Sequence, residues 1–328
     1  MDKIIGIGNA LVDILARVDD ESIIDELHLT KGGIEFIDEQ RLNELKQRMK
    51  AMNAQSIPGG SAGNTIRALA TLGSNVGFIG KVGDDEFGEF YKNACTRSGI
   101  ETTFITGTLP TGVAVTYITP DGERTFADYL GSAATLEADD LTAEMFKGYS
   151  YLYIEGYLVQ NHEMILRAAE MAKQEGLQIC LDLASYNIVE AERDFFRLLL
   201  TKYVDIVFSN EEEAKSFTGE QPEDALHDIS KLCSVAIVKM GKNGSYIKKG
   251  TETIKVEAIK VNDVIDTTGA GDFFAAGFLY GLTSGYSFPK CAQIGSLLAS
   301  KVIQVIGTEL QPATWEEIKS SINSIVSE

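Results

Sequence analysis

The sequence predicts an α/β fold in which a mostly parallel sheet is covered by helices, with a small second sheet beside it. Short apolar runs alternate with amphipathic stretches along most of the chain, which is typical of such a sheet. Residues 112–130 break this rhythm and alternate apolar with polar residues, as strands with one covered face do. A length of 328 residues, 44% of them hydrophobic, fits one large unit better than several domains.

Six short apolar runs are predicted to form the strands of the main sheet, because buried parallel strands are apolar on both faces. They lie at residues 3–8, 76–80, 151–154, 178–183, 204–208 and 235–240. Apolar residues three and four positions apart predict helices. These lie at residues 62–72, 164–174, 191–200, 222–232, 272–282, 291–305 and 315–326.

The small sheet is predicted from two alternating runs, 112–119 and 123–130, which flank the turn tripeptide Pro120-Asp121-Gly122. Residues 11–18 and 33–37 could add strands to this hairpin. Two separate segments, about 11–37 and 108–131, would then build one sheet. We therefore expect a lid over a cleft, inserted in a single domain spanning residues 1–328.

The charge balance restricts the partners. Lys and Arg number 29 against 48 Asp and Glu, a formal net charge of −19. Such a surface repels nucleic acids and anionic lipids, so neither is expected as a partner. No run approaches the ~18 apolar residues that span a bilayer, and the N-terminus leads into a strand rather than a signal peptide. The four cysteines and three histidines are scattered, so we expect no zinc site, reduced thiols and a cytoplasmic location.

The most informative segment is VIDTTGAGDFFAAG, residues 264–277. A β-rich stretch runs into a glycine-rich turn and then into an apolar helix, whose first N–H groups can bind an anion. Asp272 lies at this junction and could meet a substrate hydroxyl beside that anion. The alternative is that Asp272 is an ordinary helix N-cap and the glycines only make a tight turn. A P-loop sequence is absent from the chain.

Two further segments carry candidate binding groups. In PGGSAGNT, residues 58–65, Asn64 offers an amide donor and an acceptor suited to sugar hydroxyls, although helix capping would also explain it. In GNALVD, residues 8–13, Asp13 follows the first strand, where ligands bind in parallel sheets. Asp13 could hold two vicinal hydroxyls, or it could be a solvated loop acid.

Taken in order, these segments resemble the signatures of the ribokinase-like (PfkB) carbohydrate kinase family. DTTGAGDFFAAGF is similar to the family's second signature, and PGGSAGNTIRALATLG to its N-terminal glycine signature. SNEEEA, residues 209–214, resembles its N-x-x-E element, and KMGKNG, residues 239–244, its late nucleotide loop. The resemblance covers nearly the whole chain. It implies a three-layer α/β/α fold with a small β-sheet lid, and an ATP-dependent kinase that phosphorylates an alcohol group.

The resemblance also implies a role for each candidate residue. Asp272 would take the proton from the acceptor hydroxyl, beside an anion hole formed by Gly269, Ala270 and Gly271. The residues implied to bind the acceptor are Asn9, Asp13, Gly59, Gly60 and Asn64. Those implied to bind ATP and Mg²⁺ are Asn210, Glu213, Lys239, Gly241, Gly244, Gly295 and Ser296. Family members that bind a monovalent cation use positions like Asp266 and Thr268, so K⁺ is a candidate ligand there.

Two other residues have open interpretations. Arg124, in the hairpin, could reach the transferred phosphoryl group or be a solvated turn charge. Tyr157 follows a strand and could stack on a flat ring or pack in the core.

Three features favour a nucleoside such as adenosine as the acceptor. GNALVD resembles the start of the adenosine-kinase-like branch, and Ser61 stands where ribokinase proper tends to have lysine. Phe36, Phe126 and Tyr157 could supply apolar surface for a purine. The alternative is a simple sugar such as ribose or fructose. A sugar phosphate would want more cationic side chains in the lid than Arg124.

Two functions of other classes compete with a kinase. A non-catalytic nucleotide or sugar sensor would have no need of the base at Asp272. A dinucleotide-dependent oxidoreductase would need a third glycine, which GIGNAL, residues 6–11, lacks. The edge of the small sheet could also pair with a second copy, which would make a homodimer.

Overall fold

A computed structural model describes residues 2–52, 54–120 and 123–327 of the chain. Its strands in these ranges are β1 (Ile4–Ile7), β2 (Leu11–Arg17), β3 (Ile34–Phe36), β4 (Gln55–Pro58), β5 (Val76–Gly83), β6 (Glu101–Gly107), β7 (Gly112–Ile118), β8 (Arg124–Tyr129), β9 (Tyr151–Glu155), β10 (Gln178–Asp182), β11 (Ile206–Asn210), β12 (Val235–Lys239), β13 (Ser245–Lys249) and β14 (Glu252–Val256). Its α-helices are α1 (Ser22–Glu26), α2 (Glu39–Ala51), α3 (Ser61–Thr71), α4 (Glu86–Arg97), α5 (His162–Gln174), α6 (Tyr186–Ala191), α7 (Arg193–Lys202), α8 (Glu211–Thr218), α9 (Pro222–Ile229), α10 (Ala270–Thr283), α11 (Phe288–Val302) and α12 (Pro312–Ser327).

The main sheet has the order β6-β5-β1-β9-β10-β11-β12-β13-β14 among the described strands. Its strands are parallel from β6 through β12, and the β12-β13-β14 hairpins are antiparallel. A tight turn joins antiparallel strands, so successive parallel strands need a longer crossover connection, which is usually a helix. All the parallel strands therefore end at the same edge of the sheet, which is where the candidate site lies.

Helices cover both faces of this sheet. In β1, Ile4 belongs to an apolar core shared with buried residues of α3, α10 and α11. Its neighbours Ile5 and Ile7 point to the other face and belong to a core shared with α5, α7 and α9. Strands that are apolar on both faces thus produce the three α/β/α layers, as expected.

The small sheet has the order β3-β8-β7-β2-β4. On one face, Val115 and Ala127 are buried in the same apolar cluster as Leu42 and Leu45 of α2. The residues of β8 on the other face are only partly buried. Since a strand alternates its side chains, this second face is the one that can turn toward the main sheet.

The prediction of two sheets is confirmed, as are all six main-sheet strands, within a few residues. The predicted helix at 191–200 is wrong in part, because α6 and α7 meet at residue 192 there. The sequence prediction missed α2, α4 and the edge strands β6 and β14, whose polar residues conceal the periodicity. Asp121 and Gly122 of the predicted turn lie outside the described residues. In the described ranges, the helices are too short or too polar to cross a membrane.

Candidate active site

Asp272 lies in the first turn of α10, which follows Gly269 in a left-handed conformation (φ 75°). Its carboxylate accepts hydrogen bonds from Ser61 Oγ (2.7 Å) and Asn64 Nδ2 (2.8 Å) of α3. The simple N-cap interpretation of Asp272 is therefore wrong, because the cap residue is Gly269 and the carboxylate points to another helix. Burial raises the pKa of Asp272 to about 6, against the opposing effect of the two hydrogen bonds. A partly buried carboxylate of this pKa is suited to accept a proton near neutral pH.

The turn from Gly269 to Gly271 offers backbone N–H groups at the start of α10. A Cβ on Gly271 would lie 3.0 Å from Lys239 Nζ, so the ammonium group stands directly beside this turn. Ala270 N donates to the carbonyl oxygen of Thr267 at 3.2 Å, and the N-terminus of the helix together with a nearby cation favours an anion. The structure thus brings the predicted anion hole, which includes Ala270, next to Lys239.

Polar residues end four neighbouring strands at this edge of the main sheet. They are Glu155 of β9, Asp182 of β10, Asn210 of β11 and Lys239 of β12. Lys239 Nζ pairs with Asp182 Oδ2 at 2.9 Å, and both side chains are largely buried. Burial lowers the pKa of Lys239, but the charges of Asp182 and Glu213 outweigh it, so the net direction is upward. Lys239 therefore stays charged beside the glycine turn.

Asn210 and Glu213 form a reciprocal cap at the start of α8. Asn210 N and Nδ2 donate to the Glu213 carboxylate (2.8 and 2.6 Å), and Glu213 N donates to Asn210 Oδ1 (2.8 Å). Burial raises the pKa of Glu213 to about 7, although Lys239 lowers it. In this structure, Asn210 and Glu213 fix the N-terminus of α8 near Lys239. Its predicted role toward Mg²⁺ and phosphates stays a prediction.

The remaining predicted nucleotide residues occupy two places. Gly241 and Gly244 lie between β12 and β13, both at positive φ (50° and 88°). Gly295 lies in α11, where a Cβ would meet the Phe274 carbonyl oxygen of α10 at 2.8 Å. Gly295 is thus required by close helix packing, and Ser296 beside it is buried. Their contact with a nucleotide stays a prediction.

Asn9 is held by a buried carboxylate that the sequence prediction did not single out. Glu155 Oε1 accepts from Asn9 N (2.8 Å) and Asn9 Nδ2 (2.7 Å), and its Oε2 accepts from Ala62 N (2.8 Å). Burial raises the pKa of Glu155 to about 7. Gly60 has φ 80°, and a Cβ there would overlap the carbonyl oxygen of Asn9. Glu155 and Gly60 together fix the turn after β1 against the start of α3.

Asp13 lies in β2 next to this turn. A Cβ on Gly59 would overlap the Asp13 carboxylate, so the glycine allows the close approach. Burial and the negative charges of Asp128 and Asp272 together raise the pKa of Asp13 to about 7, against the opposing effect of Arg67. Asp13, Gly59 and Asp272 are thus brought close together from three parts of the chain.

Asn64 makes more contacts than the sequence prediction assigned. Besides donating to Asp272, its Oδ1 accepts from Arg67 Nη2 (2.7 Å) and Thr308 Oγ1 (3.2 Å). Because the amide is held on both sides, Asn64 orients the Asp272 carboxylate in this structure. Its contact with an acceptor hydroxyl stays a prediction.

Arg124 joins the small sheet to the loop before α10. Its guanidinium pairs with Asp266 and donates to Thr268 Oγ1 at 3.0 Å. The Asp266 carboxylate also accepts from Thr268 N (2.9 Å) and Gly307 N (2.7 Å). The interpretation of Arg124 as a solvated turn charge is therefore wrong. The predicted cation-binding side chains are occupied by this arginine.

Tyr157 lies just after β9 and is 41% exposed. Its hydroxyl donates to the carbonyl oxygen of Ala184 at 3.5 Å. The tyrosine is thus partly buried and partly open to solvent, and its contact with a flat ring stays a prediction.

Acidic residues around the glycine turn do not form a preformed metal cluster. Within the described ranges, no group of three His, Cys, Asp or Glu side chains could hold a metal ion.

Four matches relate the chain to known proteins. The sequence model of the pfkB family carbohydrate kinases matches residues 31–315. A probable sugar kinase structure from Rhizobium etli CFN 42 is 36% identical, covers 98% of both chains and has a TM-score of 0.87. The adenosine kinase structure from Sinorhizobium meliloti is 34% identical, with 98% and 99% coverage and a TM-score of 0.87. A 5-dehydro-2-deoxygluconokinase from Geobacillus thermodenitrificans is 29% identical over 81% of this chain and 84% of its own length.

Proposed function

This chain belongs to the pfkB family of carbohydrate kinases, and from that premise we propose that it transfers the γ-phosphoryl group of ATP to a primary hydroxyl of a nucleoside such as adenosine. That the protein is a phosphotransferase acting on a sugar or nucleoside hydroxyl follows from the family and the kinases it resembles. The acceptor and the role of each residue are the proposal.

The observation that carries the proposal is the Asp272 carboxylate, held by Ser61 and Asn64 at the mouth of the glycine turn. Asp272 accepts the proton of the acceptor hydroxyl. At the same time the hydroxyl oxygen bonds to the γ-phosphorus, and the bond from that phosphorus to ADP breaks. The amides of residues 269–271 and Lys239 stabilise the charge on the transferred group. Positioning and electrostatics supply most of the rate in such a transfer.

The chain's residues fit a phosphate donor. Gly271 leaves space beside Lys239 Nζ that a side chain would fill, so a phosphate oxygen can reach both the amides and the ammonium group. Mg²⁺, when bound, neutralises phosphate charge, and Asn210 and Glu213 would hold its waters. The Asp266 carboxylate is already engaged by Arg124 and two backbone amides. A K⁺ ion there would have to use other ligands, so a K⁺ requirement stays a prediction.

We propose that the small sheet, built from segments of about 11–37 and 108–131, acts as a lid on this single domain. In support, Arg124 of β8 contacts Asp266 and Thr268. These residues directly precede the glycine turn that is proposed to bind the anion. A lid excludes water, which competes with the acceptor for the phosphoryl group. The open edges β3 and β4 are where the predicted homodimer would form.

A purine-like ring in the acceptor is supported by aromatic surface on the lid. Phe36 of β3 is 73% exposed, an unusual state for a phenylalanine, and Phe126 lies on the same face of the sheet by strand register. Tyr157 is also exposed near the site. A flat ring would bury these surfaces. The S. meliloti relative is named an adenosine kinase. A simple sugar is the second candidate, because the R. etli relative is named a probable sugar kinase.

The test is a panel assay that follows ADP release from Mg·ATP. Adenosine, inosine, ribose, fructose and 5-dehydro-2-deoxygluconate would be compared by kcat/KM. We expect adenosine to give the highest value. A higher value for ribose or fructose would contradict the nucleoside proposal in favour of a sugar, and absence of turnover with every acceptor would overturn both.

A further inference from the structure

A second carboxylate, Asp128, lies in line with Asp13 on the small sheet. Strand register pairs Asp13 with Ala114 and Ala114 with Asp128, so the three residues form one row across β2, β7 and β8. Directly paired residues point to the same face of a sheet. Asp128 therefore shares a face of the small sheet with Asp13, and Ala114 lies between them in the row.

This face is the one that meets the phosphoryl-transfer centre. Arg124, two and four positions along β8 from Phe126 and Asp128, projects on the same side and contacts Asp266. Phe36 is paired with Asp128 and so flanks it from β3. Asp128 thus stands between an exposed aromatic ring and the carboxylate proposed to hold the acceptor.

Neither carboxylate has a hydrogen bond or an ion pair with any residue in the described ranges. Asp128 Oδ1 is buried and unsatisfied. Arg124 pairs with Asp266, and Arg67 donates through Nη2 to Asn64 and Thr308, while Arg67 Nη1 is buried without a hydrogen-bond partner among the described residues. Buried polar groups in native proteins are satisfied almost without exception, so the unsatisfied Oδ1 of Asp128 indicates a missing donor on this face of the sheet.

Burial raises the pKa of both carboxylates. Burial raises the pKa of Asp128 to about 7. The same holds for Asp13, where the charge of Asp128 adds to the effect of burial. The negative charge of Asp272 also raises the pKa of Asp13. Asp13 is thus close enough to Asp272 for their charges to interact, whereas Asp128 lies two strands further across the small sheet.

We propose that Asp128 is a specificity-determining residue that, together with Asp13, selects neutral acceptors carrying hydrogen-bond donors at both ends and rejects anionic ones. This inference rests on the proposed function and narrows its substrate class. Asp13 binds hydroxyls near the phosphorylated carbon. Asp128 binds a donor at the opposite end, such as the exocyclic amine of a nucleobase stacked near Phe36. A sugar acid or sugar phosphate would place its negative charge against two carboxylates, which repel it.

The test compares Asp128→Asn with wild type and with Asp19→Asn, which removes one charge from an exposed loop just beyond β2. Each protein is assayed with adenosine and with 5-dehydro-2-deoxygluconate as the anionic probe, and its Tm is measured without ligand. In Asp128→Asn we expect the KM for adenosine to rise about tenfold, equivalent to ~1.4 kcal/mol. We expect kcat to change little. The ratio of kcat/KM for adenosine to kcat/KM for 5-dehydro-2-deoxygluconate should fall.

Stability separates this role from a structural one. Asp128→Asn keeps the shape of the side chain and removes an unsatisfied charge, so its Tm should equal or exceed that of wild type. Asp19→Asn should leave both KM and Tm unchanged. A lowered Tm, or an unchanged KM for adenosine with unchanged discrimination, overturns the inference while leaving the kinase proposal intact. If wild type itself turns over no acceptor, the proposed function fails first.

Discussion

Replacing Asp272 by asparagine tests the chemistry most directly. The amide keeps the size of the carboxylate but cannot accept the acceptor's proton. A positioned general base contributes about 10²–10⁴ in rate, or ~3–5 kcal/mol of the barrier, so kcat should fall by that factor. Nucleotide affinity should be nearly unchanged, because the amides of residues 269–271 and Lys239 remain in place.

The same substitution should not destabilise the protein. Burial raises the pKa of Asp272 from its ordinary 3.8 to about 6. At about 1.4 kcal/mol for each pKa unit, the ionised form costs up to ~3 kcal/mol in the folded enzyme. The folded state binds the proton more tightly than the unfolded chain, so this cost grows between pH 4 and 6 and is full above pH 6. Asp272→Asn removes this free-energy cost. Weaker hydrogen bonds from the amide to Ser61 and Asn64 offset part of the gain.

The assay is ADP release under saturating Mg·ATP and acceptor from pH 5 to 8, with ATP binding measured separately by calorimetry. Wild-type kcat should rise about tenfold for each pH unit up to about 6 and then level off, since only the ionised carboxylate accepts a proton. The residual activity of Asp272→Asn should lack this inflection, whereas Asp19→Asn should retain it. Retention of more than roughly a tenth of wild-type kcat by Asp272→Asn would refute the assignment of the base.

Three further substitutions test the rest of the site. Asp13→Asn should raise the acceptor KM at least about tenfold with a smaller change in kcat; an unchanged KM would exclude Asp13 from the acceptor site. Gly60→Ala should cost roughly 1–3 kcal/mol or more, seen as a lower Tm, because of its positive φ and the overlap with Asn9; a wild-type Tm would show that the turn is free to move. Lys239→Met should raise the KM for ATP and lower Tm, since it leaves Asp182 buried without its cation. Adding Asp182→Asn should recover Tm but not the KM for ATP, and recovery of both would count against a nucleotide role for the lysine.

Local patterns were enough to predict the layers of this protein. A strand buried on both faces is a continuous apolar run, so β1, β9, β10, β11 and β12 could be located before their neighbours were known. The glycine turn before α10 is also local, because the sequence places small residues and Asp272 next to an apolar helix. The edge strands β6 and β14 escaped prediction, since strands exposed on one side carry polar residues that hide the period.

Only the tertiary structure decided which polar side chains contact one another. The sequence predicts that Asn64 binds the acceptor, but it gives no sign that Asn64 also holds the Asp272 carboxylate, more than two hundred residues away in the chain. Glu155 and Asp182 each end an apolar strand, but their partners come from other strands and loops. The row of Asp13 and Asp128 exists because β2, β7 and β8 pair in one register, and a shift of one residue would turn one carboxylate to the opposite face. Periodicity is a property of a segment, whereas strand register is a property of the assembled sheet, so the sequence determined the elements and the fold decided which charges meet.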